Sequence, residues 1–139
     1  MDRLTPQRRS WNMSRIRSKD TAPELLVRKY LFSKGLRYRL NRKDMPGKPD
    51  LVFTSRRICL FVHGCFWHGC PLCSVGRRVV KSNSAFWKDK ISGNRQRDKR
   101  HTRTLRSKGW KVFTIWECSI RDTSTLKKLA YKIIRAPRF

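Results

Sequence analysis

The run Ile58-Cys59-Leu60-Phe61-Val62 is apolar at every position. That pattern belongs to a strand covered on both faces, since a half-exposed strand would alternate. Leu51–Phe53 forms a shorter apolar stretch before it, and Ser55-Arg56-Arg57 between them can turn one strand into the next as an antiparallel hairpin. Residues 110–116 read as another strong strand, and residues 36–40 alternate loosely, as an edge strand would. Elsewhere the period is helical. Thr21-Ala22-Pro23-Glu24 is a capping box that opens a helix, with Thr21 as N-cap and Pro23 tolerated in the first turn. Val27 and Leu31, with Leu26 and Tyr30, supply its apolar stripe, and Gly35 is placed to end it. A second helix is predicted from Ser84 to about Lys108. Its stripe of Phe86, Trp87, Ile91, Asn94, Asp98, Thr102 and Leu105 is only partly apolar, and Gly109 stops it. A last helix covers residues 124–134. A helix between Ile58–His63 and residues 110–116 is a crossover, so those strands run parallel. The expected fold is α/β, a mixed sheet with helices on both faces.

Between the central strand and the long helix the composition changes. Residues 63–73 hold two histidines, three cysteines and the pair Phe66-Trp67, a mixture that aliphatic packing does not require. Cys65, Cys70 and Cys73 share one loop, and Cys118 follows the strand predicted to lie parallel to Ile58–His63. Parallel strands bring their C-terminal ends together, so four thiolates can meet around one tetrahedral zinc with no position left open for water, a structural site. The competing reading is a redox C-x-x-C at Cys70 and Cys73. Cys59, mid-strand, reads as an ordinary buried thiol.

Charge changes the picture further. There are 35 Lys and Arg against 9 Asp and Glu, a net charge of +26 in 139 residues. The basic residues recur along the whole chain, which makes nucleic acid the leading partner and an anionic membrane surface a distant second. No apolar run reaches the length of a membrane span or a signal core, so the cytoplasm or nucleoid is the expected location. Residues 1–19 read either as a disordered arm or as a basic arm that orders on DNA, and Trp11, Met13 and Ile16, unusual in a purely solvating tail, favour the second. Residues 20–139 read as one domain. Against so much positive charge, Asp50 at the start of one hairpin strand and His63 at the end of the other are placed to hold a divalent ion beside a phosphate. His68 suits general acid–base work, with Glu24 to orient it. Each has a plainer alternative: Asp50 a turn residue, Glu24 a helix cap, His63 or His68 a zinc ligand or surface histidine. Phe66 and Trp67 fit a wedge or stacking platform for bases, or else the core.

Taken together, Asn12-Met13-Ser14-Arg15-Ile16, Asp20 to Glu24, Pro46-Gly47-Lys48-Pro49-Asp50, His63 to Gly69, Phe86-Trp87, Asn94 to Asp98, and Gly109-Trp110 with Ile115-Trp116-Glu117-Cys118 resemble the very-short-patch-repair endonuclease family, in family order. The resemblance implies a restriction-endonuclease-like core of the PD-(D/E)xK type. It also implies magnesium-dependent nicking of one DNA strand 5′ to the thymine of a T·G mismatch, the product of 5-methylcytosine deamination. By it, Asp50 is the metal-binding acid, His68 the catalytic histidine with Glu24 as partner, and His63 occupies the lysine position of the wider pattern. Phe66, Trp67 and Trp87 fall where the family inserts aromatics beside the mismatch, and Met13 and Lys90 approach it. Val62 stands where a relative carries threonine and can serve magnesium through its main-chain carbonyl. Cys70 stands where some relatives use a histidine zinc ligand. The implied partner is mismatched duplex DNA, with mismatch-repair proteins beside it, bound by a monomer. Two alternatives stand: a restriction-type or transposon-linked nuclease without mismatch preference, and a non-catalytic zinc-stabilised DNA-binding module. Pure binding would need none of Asp50, His63 and His68.

Overall fold

The computed structural model describes residues 21–73 and 84–138, and of Trp67 the backbone alone. The expected N-terminal arm with Met13, the basic loop with Arg77, Arg78 and Lys81, and the Trp67 side chain lie outside the described residues. In chain order the elements are α1 (Ala22–Ser33), β1 (Arg39–Leu40), β2 (Leu51–Phe53), a 3-10 turn (Thr54–Arg56), β3 (Ile58–His63), α2 (Cys65–His68), α3 (Ser84–Ser107), β4 (Lys111–Trp116), α4 (Glu117–Ile120) and α5 (Thr123–Arg135). Among them, no helix is long and apolar enough to cross a membrane.

The four strands form one sheet in the order β1-β2-β3-β4. β2 and β3 are antiparallel, with Leu51 opposite Leu60 and Phe53 opposite Ile58. The turn between them closes through Arg57 in the left-handed region, φ +51°. β3 and β4 are parallel from Ile58 opposite Lys111 to His63 opposite Trp116, and α3 is the crossover between them. All six residues of β3 are buried, because its alternate side chains enter two cores. Ile58, Leu60 and Val62 pack with Val27 and Leu31 of α1 and with Leu126, Leu129 and Ile133 of α5. Cys59 and Phe61 pack with Val52, Val112 and Leu105 of α3.

Both helix-stopping glycines act through the same bonds. Gly35 (φ +85°) donates to Phe32 O and Leu36 to Leu31 O, while Gly109 (φ +89°) donates to Arg106 O and Trp110 to Leu105 O. These paired returns satisfy the last carbonyls of each helix and need a residue at positive φ. The start of α1 is capped as its sequence predicts, with Thr21 Oγ1 accepting from Glu24 N at 3.4 Å.

Three expectations change. Leu26 is not part of the α1 stripe; it is 56% exposed, because Val27 and Leu31 already fill the face that meets the sheet. The strand at 36–40 shrinks to Arg39–Leu40, both exposed, since its partner β2 is itself three residues long. Only Leu105 of the α3 stripe is fully buried. At about 1.5 Å per residue this helix is about 36 Å long, against about 20 Å for the six-residue strands β3 and β4 that it connects, so its C-terminal half lies on the sheet and its N-terminal half on α2.

Candidate active site and metal centre

The parallel pairing of β3 and β4 sets two loops side by side at their C-terminal ends. After His63, Gly64 leads into α2, which carries Cys65 and ends at Gly69 (φ +61°). After Trp116, α4 carries Cys118. The sulfurs of Cys65, Cys70, Cys73 and Cys118 all lie within 4.8 Å of one another, and none is in a disulfide. Cys70 and Cys118 Sγ are 3.8 Å apart. A tetrahedral ion with zinc–sulfur bonds of about 2.3 Å sets its sulfurs about 3.8 Å apart. Two backbone N–H groups already point at these sulfurs, Cys118 N at Cys65 Sγ and Leu72 N at Cys70 Sγ, each at 3.3 Å. Such donors stabilise a thiolate bound to metal. Burial pushes the Cys65 and Cys118 thiols up, a cost that a cation relieves. The cluster can hold a metal, and its four thiols fit zinc.

Beside it, Asp50 immediately precedes β2. Its Oδ2 accepts from Val62 N at 2.7 Å. In an extended strand the N–H and C=O of one residue point the same way, so the Val62 carbonyl also faces the side that Asp50 occupies. Burial pushes the Asp50 carboxyl up to about 6, opposed by the Val62 N–H and reinforced by the charge of Glu24. A desolvated carboxylate in that state gains from a bound cation. Asp50, Val62, Glu24, His63, His68, Asp98 and Glu117 line one cavity of about 510 Å³. Four of the chain's 9 acidic residues are therefore gathered at one place.

His68 Nδ1 lies 2.6 Å from Asp98 Oδ2. Burial opposes the Asp98 charge, but the hydrogen bond to His68 and the nearby imidazoles outweigh it and hold the carboxyl below its usual range. The His63 and His68 rings stack, with centroids 3.9 Å apart and planes 2° from parallel. Trp116 meets His63 edge-on at 5.2 Å. Burial, then the neighbouring His68, lowers His63 to about 4, so its ring is neutral at pH 7. Its Nδ1 is buried and, among the described residues, has no partner. His63, His68 and Asp98 are close enough to ligate one ion. The stack argues against that, because an ion in the plane of one imidazole lies outside the plane of the other. Asp50 is the better anchor.

A family model described as DNA mismatch endonuclease Vsr matches residues 1–73. A type II nicking enzyme of Xanthomonas oryzae pv. oryzae, V.XorIIP, is 50% identical over 126 residues, 91% of each chain. DNA mismatch endonuclease Vsr of Escherichia coli is 38% identical over 120 residues, 85% of this chain and 74% of that one. The chain belongs to the Vsr family of DNA mismatch endonucleases. It is an endodeoxyribonuclease. Among solved structures, the catalytic domain of homing endonuclease I-Bth0305I shares the fold, with a TM-score of 0.55 at 21% identity, covering 82% of this chain and 94% of that one.

Within this Vsr-family site one expected contact is corrected. The carboxylate on His68 Nδ1 is Asp98, not Glu24. Glu24 instead forms a buried ion pair with Arg28, one helical turn on, at 3.2 Å, although it still lines the Asp50 cavity. Asp98 had a signal in the sequence: it is an acid at an inward position of the α3 stripe. The His63 ring, lowered to about 4 by burial and then by His68, is neutral at pH 7 and brings no positive charge to the site. Phe66 and Trp87 meet with ring centroids 5.5 Å apart, and the exposed Phe86 extends that row, 5.2 Å from Trp87. Lys90 Nζ sits 5.8 Å from the Phe86 ring.

Proposed function

We propose that this chain is a magnesium-dependent nicking enzyme that cuts one strand 5′ to the thymine of a T·G mismatch left by deamination of 5-methylcytosine. The observation that carries the reading is the single cavity shared by Asp50 and the His68–Asp98 pair. A carboxylate suited to a hard cation thus faces an oriented imidazole. Asp50 and the Val62 carbonyl would hold magnesium, with waters completing its shell. Bound there, magnesium would offset charge on the phosphate and make an attacking water more acidic. The threonine of a relative is then dispensable at Val62, since a main-chain carbonyl serves with either side chain.

Asp98 accepts from His68 Nδ1, which fixes the tautomer and leaves Nε2 free to take a proton from water or to give one to the leaving oxygen. His63, stacked beneath, holds that ring in plane without adding charge. Zinc on Cys65, Cys70, Cys73 and Cys118 leaves no open position and acts structurally. Phe66, Trp67 and Trp87 form the wedge beside the mismatch, where unstacking a mispaired step costs less than unstacking a paired one, and Met13 and Lys90 approach it. The bacterial relatives support work in the cytoplasm on duplex DNA.

Several relatives are named type II nicking enzymes, which keeps nicking without mismatch preference as the second reading. A nicking assay on matched pairs of T·G and T·A duplexes, with and without magnesium, separates the two. Nicking of the T·G duplex alone, and only with the metal, is the expected result. Equal nicking of both duplexes would favour the second reading.

A further inference from the structure

We propose that the groove between α3 and β4 is a second nucleic-acid site, which grips the phosphodiester backbone of one strand where it runs out of the active site. Arg95, Lys99, Arg103 and Arg106 lie at spacings of four, four and three, on one face of α3 over three turns, about 16 Å of helix. All four line one cavity of about 500 Å³, faced by Thr114 and Trp116 of the sheet-edge strand β4. Like charges at this spacing weakly oppose helix formation, pair by pair, so an anion lying along the stripe would stabilise it. Among the described residues, no hydrogen bond or ion pair engages these four side-chain heads. The one acid in the groove, Asp98, is held by His68.

The groove is also built to a shape. Gly69 sits at φ +61°, and a Cβ there would come within 2.9 Å of Arg95 Cδ, so the stem of Arg95 lies directly over the turn that ends α2. His63, His68 and Asp98 line both this groove and the acidic cavity of Asp50. A strand whose phosphate lies against Asp50 can therefore continue past the histidines onto four cations. The ligand chemistry is a run of phosphodiesters with its bases turned outward. A terminal 5′-phosphate left by the cut would satisfy the same cations, but the length of the stripe favours a continuing backbone. The proposal extends the reading of the active site, yet it concerns binding and does not depend on mismatch preference.

The test is phosphate-ethylation interference with full-length protein in magnesium-free buffer without chelator, on a T·G duplex and a T·A duplex, each intact or already nicked with a 5′-phosphate. The groove variant carries Arg95→Gln, Arg103→Gln and Arg106→Gln. A control removes three charges from the opposite side of the sheet, through Lys34→Gln, Lys127→Gln and Lys132→Gln. The groove variant should lose interference at a cluster of phosphates on one side of the cut, on both duplexes. Its slope of log affinity against log salt should fall by about 3, at about 0.9 per contact. The control should keep every interference position. Thermal midpoint and metal content check that each variant is folded, and Lys99→Gln alone provides a milder form that should weaken the same phosphates. An unchanged interference pattern in the groove variant, or the same loss in the control, would overturn the proposal. So would an effect confined to nicked duplexes carrying a 5′-phosphate, because the groove would then hold only a product end. Loss of T·G preference with the interference cluster intact would strike the proposed function and leave the groove standing.

Discussion

His68 is fixed by Asp98 at one nitrogen and by the face of His63 over its ring. Replacing it with alanine should cost single-turnover nicking about 10²–10⁴-fold, the worth of a positioned acid–base group. Asp98→Asn keeps the shape but offers an N–H to Nδ1 and favours the wrong tautomer. Its loss should be smaller than that of His68→Ala, with DNA affinity unchanged. A rate equal to the parent's in Asp98→Asn would remove the pair from the chemistry. Asp50, His63 and His68 stood out in the sequence as functional residue types at the ends of strands. The partner of His68 did not. Glu24 was the nearer candidate by residue type, yet its charge is taken up by Arg28 four residues on, a pairing that helical spacing permits and that only the docked helix decides. Asp98 lies thirty residues from His68, and its role depends on which side of the sheet α3 covers.

At the scale of elements, the cysteine cluster ties α2 to α4 and so locks the ends of β3 and β4 together. One equivalent of zinc should co-purify. Cys73→Ser or Cys118→Ser should lower solubility and the midpoint of unfolding, because a structural metal contributes folding free energy directly. A folded, active preparation without zinc would contradict this. Cys59 should behave differently from the other four. Burial pushes its thiol up to about 12, so alkylation under native conditions should spare it, and chelation should expose the four cluster thiols first. The helices and strands were largely legible because their punctuation is local: a capping box at Thr21, glycines at 35 and 109, an apolar run at β3. The burial of α3 was not. Its stripe carries a helical period over its whole length, but the strands beneath are too short to cover it.

The whole molecule separates its charges. The net charge is +26, yet four of the 9 acids line the cavity at Asp50, and four cations line the groove behind the histidines. If the basic surface and residues 1–18 together neutralise about six to ten phosphates, affinity should fall about 10³–10⁵-fold between about 50 and 200 mM salt. Deleting residues 1–18 should flatten that dependence, and an unchanged slope would mean that the arm makes no backbone contact. Composition alone pointed to nucleic acid. The division into an acidic cavity and a basic groove depends on how α3 crosses β4, and no run of sequence carries that. The central claim, that Asp50 serves chemistry and not binding, is tested most directly with Asp50→Ala. Single-turnover nicking would be measured on one T·G duplex with magnesium present, and equilibrium binding on the same duplex without it. Nicking should disappear while affinity stays equal or tightens, since one negative charge has been removed from a DNA-facing cavity. Full nicking by that variant, or a loss of binding that matches the loss of rate, would contradict the account.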